Sequence, residues 1–226
     1  MKIENNIASY FDHTLLKAFA TKEDIVKLCK EAKEISSYSV CVNPIYVNQC
    51  KELLKGTDVK VCSVIDFPLG ASDLESKVFQ LKKAIQNGAK EVDYVINVGY
   101  VKMHDWAYIT REMQVLTTAT HEENAKVKVI LETCYLTKEE ILEISKIAAE
   151  VKPDFIKTST GFGTGGATVE DVKLMVETVA DSGVKVKASG GIRTWESCKA
   201  MIEAGASRIG VSASLNIIKE YNEVNS

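Results

Sequence analysis

The chain has 226 residues, of which 46% are hydrophobic and 26% are charged, and its formal net charge is -3 at pH 7. These values are typical of a globular protein and provide no basic excess that would neutralise a nucleic-acid backbone. No apolar run approaches the ~18 residues that a membrane span needs, and the first six residues lack the apolar stretch of a signal peptide. We therefore expect a cytoplasmic protein with no nucleic-acid partner and no membrane partner.

The cysteines and histidines show no spacing that is typical of a metal site. The six cysteines contain no Cys-x-x-Cys pair, and the three histidines do not form a His-Glu-x-x-His motif. A disulfide framework and a zinc knuckle are therefore both disfavoured. We expect reduced thiols, and the sequence indicates no metal site.

Eight short β-rich runs alternate with segments in which apolar residues recur at helical spacing. The runs cover residues 10–14, 39–42, 59–65, 91–98, 127–132, 155–160, 184–189 and 208–212. Thr21, Thr137 and Thr168 each precede acidic residues, as N-caps do, and Asn87-Gly88 is typical of a helix end. Eight units of about 28 residues each, with no Pro- or Ser-rich linker, predict an α/β protein whose residues 1–226 form one (β/α)8 TIM barrel.

Side chains alternate along the predicted strands between an apolar face and a polar face. The apolar face carries Val92, Tyr94, Ile96, Val98, Val127, Val129, Leu131, Val184, Val186 and Ala188. The polar face carries Glu91, Asp93, Asn97, Lys128, Glu132, Lys157, Ser159, Lys185, Lys187 and Ser189. In a closed sheet covered by helices the polar face points into the barrel. Its charges need partners or a chemical role, because a buried unpaired charge costs several kcal/mol.

Lys157 and Lys187 lie near the C-terminal ends of two consecutive predicted strands, and that end holds the active site in barrels. A second cation near a buried ammonium favours the neutral amine, which can attack a carbonyl. Asp93 is a carboxylate that could face both amines and move protons through water. The pattern predicts Schiff-base chemistry. The alternative is a structural ion network in which the lysines pair with Asp93, Glu132 or another carboxylate.

Glycine-rich turns follow the last two predicted strands, at residues 190–194 and 210–214. Successive backbone N–H groups at such turns bind anions, and many barrels hold a phosphate after the seventh and eighth strands. The turns therefore predict a phosphorylated substrate. A further glycine-rich run at 161–166 is either a lid or a flexible connection. Cys41 is predicted to be a small buried side chain.

Seven motifs, in order along nearly the whole chain, resemble those of the deoxyribose-phosphate aldolases, a class I aldolase family with a (β/α)8 barrel. The motifs cover residues 12–17, 39–44, 67–71, 91–97, 128–133, 155–161 and 187–194. The resemblance implies reversible cleavage of 2-deoxy-D-ribose 5-phosphate to D-glyceraldehyde 3-phosphate and acetaldehyde, without metal or organic cofactor. It also implies a role in deoxynucleoside catabolism.

The resemblance also assigns roles to individual residues. Lys157 matches the lysine that forms the Schiff base, and Lys187 and Asp93 match the residues that relay protons. The substrate-binding positions are Thr160, Gly161, Gly190, Gly191, Arg193, Gly210 and Ser212, and the positions along the pocket are Asp12, Cys41 and Lys128.

Four residues depart from the family pattern: Ala18, Asp66, Val211 and Ser214. Asp66 replaces a glycine and adds a charge near the end of the third strand, and the last two replace a threonine and a glycine near the phosphate site. The alternatives are another phosphate-binding barrel, either an isomerase or a metal-dependent aldolase, and a sugar-phosphate-binding barrel without activity. A homodimer is expected only because barrel families commonly form one.

Overall fold

The computed structural model describes residues 6–225, so residues 1–5, which include most of the N-terminal stretch considered above, lie outside the described part. Eight parallel strands form a closed barrel in chain order, in which the first strand also pairs with the eighth. The strands are β1 (Phe11–Leu15), β2 (Ser39–Val42), β3 (Lys60–Ile65), β4 (Glu91–Val95), β5 (Lys126–Ile130), β6 (Phe155–Lys157), β7 (Lys185–Ser189) and β8 (Arg208–Val211). The predicted (β/α)8 barrel is confirmed.

Nine α-helices lie around the barrel within residues 6–225. They are α1 (Lys22–Ile35), α2 (Val47–Leu53), α3 (Leu74–Asn87), α4 (Val98–Lys102), α5 (Trp106–Glu122), α6 (Lys138–Val151), α7 (Val169–Val179), α8 (Trp195–Glu203) and α9 (Ser214–Asn225). The predicted threonine N-caps are present: the side chains of Thr21, Thr137 and Thr168 each accept a backbone hydrogen bond from the third residue of their helix. In residues 6–225 no helix has the length and apolar character needed to cross a bilayer.

The apolar face of the strands packs under the helices, as predicted. Val92, Tyr94, Val127, Val129 and Val186 are all buried in the main hydrophobic core. The polar face therefore points into the barrel, because successive side chains of a strand alternate between its two faces.

Three residues assigned to the inward polar face do not lie in the barrel interior. Asn97 follows β4 and caps α4 by accepting a hydrogen bond from Tyr100 N, and Glu132 follows β5 with a left-handed backbone, φ 56°. Lys185 is the first residue of β7 and is exposed. For Asn97 and Glu132 the prediction was wrong because β4 and β5 end earlier than predicted. For Lys185 it was wrong because alternation defines a face of the strand but not the depth along the barrel.

Asp66, which departs from the family pattern, occupies the turn after β3. Its φ of 47° is a left-handed conformation that favours glycine. Its carboxylate accepts hydrogen bonds from the backbone N–H of Ser72 (2.9 Å) and from the Ser72 hydroxyl (2.7 Å). A left-handed backbone costs an aspartate conformational free energy, and these hydrogen bonds stabilise the turn in spite of that cost.

Outside the barrel, Lys77 of α3 forms a fully buried ion pair with Glu112 of α5. The ammonium lies 2.7 Å from the carboxylate and also donates to the carbonyls of Gly70 and Val95, each at 2.9 Å. Glu112 in turn accepts from Asn97 N at 3.1 Å. This pair therefore holds the chain segments that leave β3 and β4 at the C-terminal end of the barrel.

Replacing Lys77 by methionine is expected to lower the free energy of unfolding by about 3–5 kcal/mol, since it leaves the Glu112 carboxylate buried without a cation. Urea denaturation followed by circular dichroism measures the change. Lys83→Met, at an exposed position of the same helix, is the matched control and should change stability by less than about 0.5 kcal/mol. A similar loss in both variants would contradict a specific role for the buried pair.

Candidate active site

A cluster of charged side chains fills the barrel interior. Each of its members is at most 3% exposed, and they come from six of the eight strands. The members are Asp12, Glu91, Asp93, Lys128, Lys157, Lys187 and Arg208. The cluster therefore holds three carboxylates and four cationic groups in close contact. Such a network is stable only when nearly every charge has a partner.

Asp93 lies at the centre of this cluster. One oxygen, Oδ2, accepts from Lys157 Nζ at 2.9 Å and from Lys187 Nζ at 2.8 Å, and Oδ1 accepts from Lys128 Nζ at 2.8 Å. Burial alone would raise the pKa of Asp93, but the three ammonium groups outweigh burial and hold that pKa well below its usual range. Asp93 therefore stays ionised and joins the two predicted catalytic amines through one atom.

Lys187 stands between two carboxylates. Its ammonium donates to Asp12 Oδ2 and to Asp93 Oδ2. Burial lowers the pKa of Lys187, but the charges of Asp12 and Asp93 outweigh burial and raise the pKa above its ordinary value. Lys187 is therefore a fixed cation, held beside the same oxygen that Lys157 contacts.

Lys128 and Arg208 complete the lower part of the cluster. Lys128 Nζ lies 2.6 Å from Glu91 Oε2 and 3.6 Å from Asp12 Oδ2, in addition to its contact with Asp93. Arg208 Nη1 lies 2.7 Å from Asp12 Oδ1 and 2.8 Å from Glu91 Oε2. Burial opposes both charges, yet the neighbouring carboxylates raise the pKa of each group. Both side chains are structural counter-ions beneath the two amines.

A cavity of about 230 Å³ opens above the cluster at the C-terminal end of the strands. It is lined by Lys157 and Lys187 and by all seven predicted substrate-binding residues: Thr160, Gly161, Gly190, Gly191, Arg193, Gly210 and Ser212. The predicted pocket residues Asp12, Cys41 and Lys128 do not line it; all three are buried, and Asp12 and Lys128 belong to the charge cluster. The structure thus brings the predicted residues together in two layers, charges below and the open cavity above.

Glycine conformation shapes one wall of the cavity. Gly190 and Gly191 have φ values of 86° and 80°, in the left-handed region. A Cβ added at Gly190 would lie 3.0 Å from Gly166 Cα and 3.3 Å from Ser159 Cβ, which is tighter than ordinary contact. These glycines allow a tight turn beside the cavity, and turns of this kind commonly expose backbone N–H groups that bind anions.

Glu132 ties two loops together at the rim of the cavity. Its carboxylate accepts from Thr160 N at 3.1 Å and also from the Thr160 hydroxyl, whose oxygen accepts from Phe162 N at 3.0 Å. Phe162 packs edge-on against Phe67 with ring centroids 5.3 Å apart. Glu132 therefore orders the start of the glycine-rich run after β6, and the prediction of a lid at 161–166 stays a prediction.

Several site residues were missed by the sequence analysis. Arg208 begins β8 two residues before Gly210, so period-two alternation places both on the inward face; that signal was available. Ser39, whose hydroxyl donates to Asp12 Oδ1 at 2.7 Å, follows the same rule on β2. Lys17 lines the cavity from the segment after β1, where no periodic signal exists.

The six cysteines are free thiols, as predicted. Cys62 Sγ lies 3.1 Å from Asp93 Oδ1 and is close enough to Cys41 to form a group of possible metal ligands with Asp93. The residues do not fit a metal ion, however. Burial raises the pKa of the Cys62 thiol well above its usual value, and three ammonium groups already occupy the Asp93 carboxylate.

The cluster makes stability depend on pH at acid values. The Asp12 and Asp93 pKa values are lowered in the folded state, so their contribution is present above the unfolded value of about 3.9 and is lost as pH falls. The Lys187 pKa is raised, so its contribution persists below the unfolded value of about 10.4 and is lost only at more alkaline pH. We expect the cluster's contribution to be constant near neutrality and to fall below about pH 4.

Urea denaturation between about pH 3 and pH 8 measures this dependence. Asp12→Asn should be less stable at neutral pH. It should also lose less stability on acidification, because one of the two carboxyl groups with a lowered pKa is absent. An unchanged acid dependence in Asp12→Asn would contradict the role given to Asp12.

Comparisons with known proteins decide the family. A model of the DeoC/LacD family aldolases matches residues 7–220. The chain belongs to the DeoC/LacD aldolase family. The resemblance inferred from the seven motifs and the aldolase class of activity are therefore confirmed.

Relatives match this aldolase over nearly its whole length. A deoxyribose-phosphate aldolase of Thermococcus gammatolerans is 56% identical, with 95% of this chain and 96% of the relative covered. One of Thermoanaerobacter sp. strain X514 is 54% identical, with 97% and 98% covered.

Solved structures agree. The tetrameric deoxyribose phosphate aldolase from Aeropyrum pernix has a TM-score of 0.89 and 30% identity, with 96% of this chain and 92% of that chain covered. The aldolase QR15 has a TM-score of 0.91 and 38% identity, with 98% of each chain covered.

Proposed function

We propose that this aldolase reversibly cleaves 2-deoxy-D-ribose 5-phosphate to D-glyceraldehyde 3-phosphate and acetaldehyde through a Schiff base on Lys157. The relatives with that named activity support the substrate. The observation that carries the mechanism is the position of Lys157: it lines the cavity while its amine contacts Asp93 in the charge cluster. An amine placed this way meets both a substrate carbonyl and a proton-transfer network.

The ion pairs distinguish Lys157 from Lys187. Among the described residues, Lys187 contacts two carboxylates, Asp12 and Asp93, whereas Lys157 contacts Asp93 alone. The cluster holds one cation more than it holds carboxylates. The charges of the cluster balance when Lys157 is the neutral amine that Schiff-base formation requires. Lys157 is therefore the nucleophile and Lys187 the charged neighbour.

In the cleavage direction the neutral Lys157 amine attacks the C1 aldehyde of the open-chain sugar, and the adduct loses water to give a protonated imine. A base removes the proton of the C3 hydroxyl, the C2–C3 bond breaks, and its electron pair moves into the imine to form an enamine. Glyceraldehyde 3-phosphate leaves. Protonation of the enamine carbon and addition of water then release acetaldehyde and restore the amine.

Lys187 takes part in proton transfer in these steps, and Asp93 holds it in place. The Asp93 carboxylate is too weak a base to abstract the proton by itself, since three ammonium groups hold its pKa well below the usual range. It instead orients Lys187 Nζ, at 2.8 Å, beside Lys157. A water molecule that contacts Lys187 would exchange protons with the substrate, as in general acid–base catalysis.

The glycine wall and Arg193 bind the 5-phosphate in this proposal. Arg193→Ala should raise the KM for 2-deoxyribose 5-phosphate by about tenfold, which corresponds to one charge-assisted hydrogen bond. The reaction of unphosphorylated 2-deoxyribose should be unchanged. Arg111→Ala removes an exposed arginine on α5 and is the control. Equal loss with both sugars would show that Arg193 does not contact the phosphate.

Turnover tests the function directly. The purified protein, incubated with 2-deoxyribose 5-phosphate and excess EDTA, should produce acetaldehyde and glyceraldehyde 3-phosphate in equal amounts. Activity lost with EDTA would favour a metal-dependent aldolase, an isomerised sugar would favour the isomerase, and no conversion would favour a binding protein.

We propose the same cellular setting that the resemblance implies, deoxynucleoside catabolism in the cytoplasm. The homodimer expected from barrel families also stays a prediction, and the Aeropyrum pernix relative is a tetramer. Sedimentation velocity of this aldolase measures the state.

A further inference from the structure

A second cavity lies at the opposite end of the barrel, where the strands begin. Its volume is about 390 Å³. Four exposed lysines line it, which we call the basal lysines: Lys51, Lys60, Lys90 and Lys126. Barrel active sites lie at the C-terminal end of the strands, so this basal cavity is separate from the site described above.

Strand pairing places three of the basal lysines in a row. Lys60 N donates to Tyr38 O at 3.0 Å, Lys90 N donates to Val61 O at 2.8 Å, and Lys126 N donates to Lys90 O at 3.0 Å. These residues therefore stand at the entrances of consecutive strands. Adjacent strands lie about 4.8 Å apart, so the backbones of these three residues follow one another along the barrel edge at about that spacing. Lys60 and Lys126 share the face of Glu91, and Lys90 has the opposite face.

The positive charge of the row is not balanced by nearby carboxylates. Within residues 6–225 no basal lysine has a carboxylate oxygen within 4.0 Å. Of the described residues that line the cavity, Glu91 is the one with a carboxylate. Its Oε2 atom already accepts from Lys128 at 2.6 Å and from Arg208 at 2.8 Å. The cavity thus has an excess of positive charge although the chain is acidic overall.

A buried donor lies directly behind the cavity wall. The Arg208 guanidinium stacks on the Tyr38 ring, 3.5 Å from its centroid, and both Tyr38 and Glu91 line the cavity. Arg208 is 3% exposed, and its Nε atom is buried without a hydrogen-bond partner in the described structure. Buried donors of this kind are rare and indicate a missing acceptor. Arg208 itself does not line the cavity, so the inference is carried by the unbalanced lysines and by the cavity that they line.

We propose that the basal cavity binds a small anion that carries at least two charged groups, either phosphates or carboxylates. A single charged group reaches one or two ammonium groups, whereas an anion with two or more groups can span the row. The exposed Asn124, which also lines the cavity, adds amide donors at its edge. The site is independent of the aldol reaction, since none of the basal lysines contacts the catalytic cluster.

Titration calorimetry with pyrophosphate at low salt tests this proposal. The double variant Lys90→Glu/Lys126→Glu should bind pyrophosphate at least about tenfold more weakly than the parent. Lys83→Glu/Lys173→Glu has the same change in net charge at exposed helix positions away from the cavity and should bind like the parent. Equal affinity in all three proteins, or equal weakening in both variants, would overturn the proposal.

Four further measurements sharpen the result. Because Arg193 is proposed to contact a phosphate in the active site, Arg193→Ala tests whether binding there is separate: it should keep the pyrophosphate binding that Lys90→Glu/Lys126→Glu loses. Loss of all pyrophosphate binding in Arg193→Ala would place the anion in the active site and overturn the proposal. Inorganic phosphate should bind at least about tenfold more weakly than pyrophosphate, and equal affinity would remove the requirement for two charged groups. Citrate, titrated alongside, identifies whether carboxylates or phosphates bind more tightly.

Aldol turnover of Lys90→Glu/Lys126→Glu should stay within twofold of the parent, which shows that this variant is folded.

Discussion

Replacing Lys157 by leucine should lower kcat/KM for 2-deoxyribose 5-phosphate by at least about 10⁴-fold, a loss typical for removal of a covalent nucleophile. The physical reason is that no imine can form, so the electron pair of the breaking C2–C3 bond has no acceptor. Stability should change little, because removal of this amine leaves three carboxylates with three cations. Steady-state kinetics and urea denaturation measure the two effects separately.

Lys185→Leu is the matched control for this variant. Lys185 lies on the neighbouring strand but is exposed at the opposite end of the barrel, so its loss should leave kcat/KM within about twofold. If Lys157→Leu retained activity within tenfold of the parent, Lys157 would not be the nucleophile. Low activity accompanied by a large loss of stability would instead indicate that Lys157 is mainly a structural counter-ion.

Asp93→Asn should reduce both activity and stability. The substitution leaves three buried ammonium groups without the carboxylate that they share, which should lower the free energy of unfolding by about 3–5 kcal/mol. We expect kcat to fall by at least about 100-fold, because the residue that orients Lys187 beside Lys157 is lost. Denaturation and kinetics at low temperature, where the variant is still folded, measure these effects.

A second substitution separates the two effects of Asp93→Asn. In the double variant Asp93→Asn/Lys128→Met the cluster again holds one more cation than carboxylates, as it does in the parent. Part of the lost stability should therefore return, while kcat should stay low. Recovery of both quantities would show that Asp93 acts only by balancing charge, and recovery of neither would show that the loss has another origin.

The positions of the candidate catalytic residues were predictable because they follow the period of the strands. Asp93, Lys157 and Lys187 occupy inward positions at similar depth, and strand register pairs Lys157 with Lys187 directly. Alternation could not distinguish Lys185 from Lys187, since both lie on one face and only their depth differs. Arg208 was overlooked for the related reason that an arginine at the first position of a strand is usually exposed.

The loops at the C-terminal end were less predictable than the strands. Asp66 and Glu132 adopt left-handed conformations, and hydrogen bonds to Ser72 and Thr160 hold their side chains in place. Ser72 lies six residues after Asp66, and Thr160 lies on a different loop from Glu132. Neither contact follows from the periodicity of a strand or a helix. The substrate assignment itself depended on the motifs of the whole chain, because two inward lysines are also compatible with a structural ion network.

The most direct test of the Schiff base is mass spectrometry after incubation of the protein with acetaldehyde and borohydride. Borohydride reduces an imine to a stable ethylamine, and peptide mapping locates the modified lysine. The structure predicts one ethyl group, on Lys157, and none on the active-site lysines of the folded Lys157→Leu variant. The absence of an adduct on the folded parent, or an adduct at Lys187 instead, would contradict the mechanism.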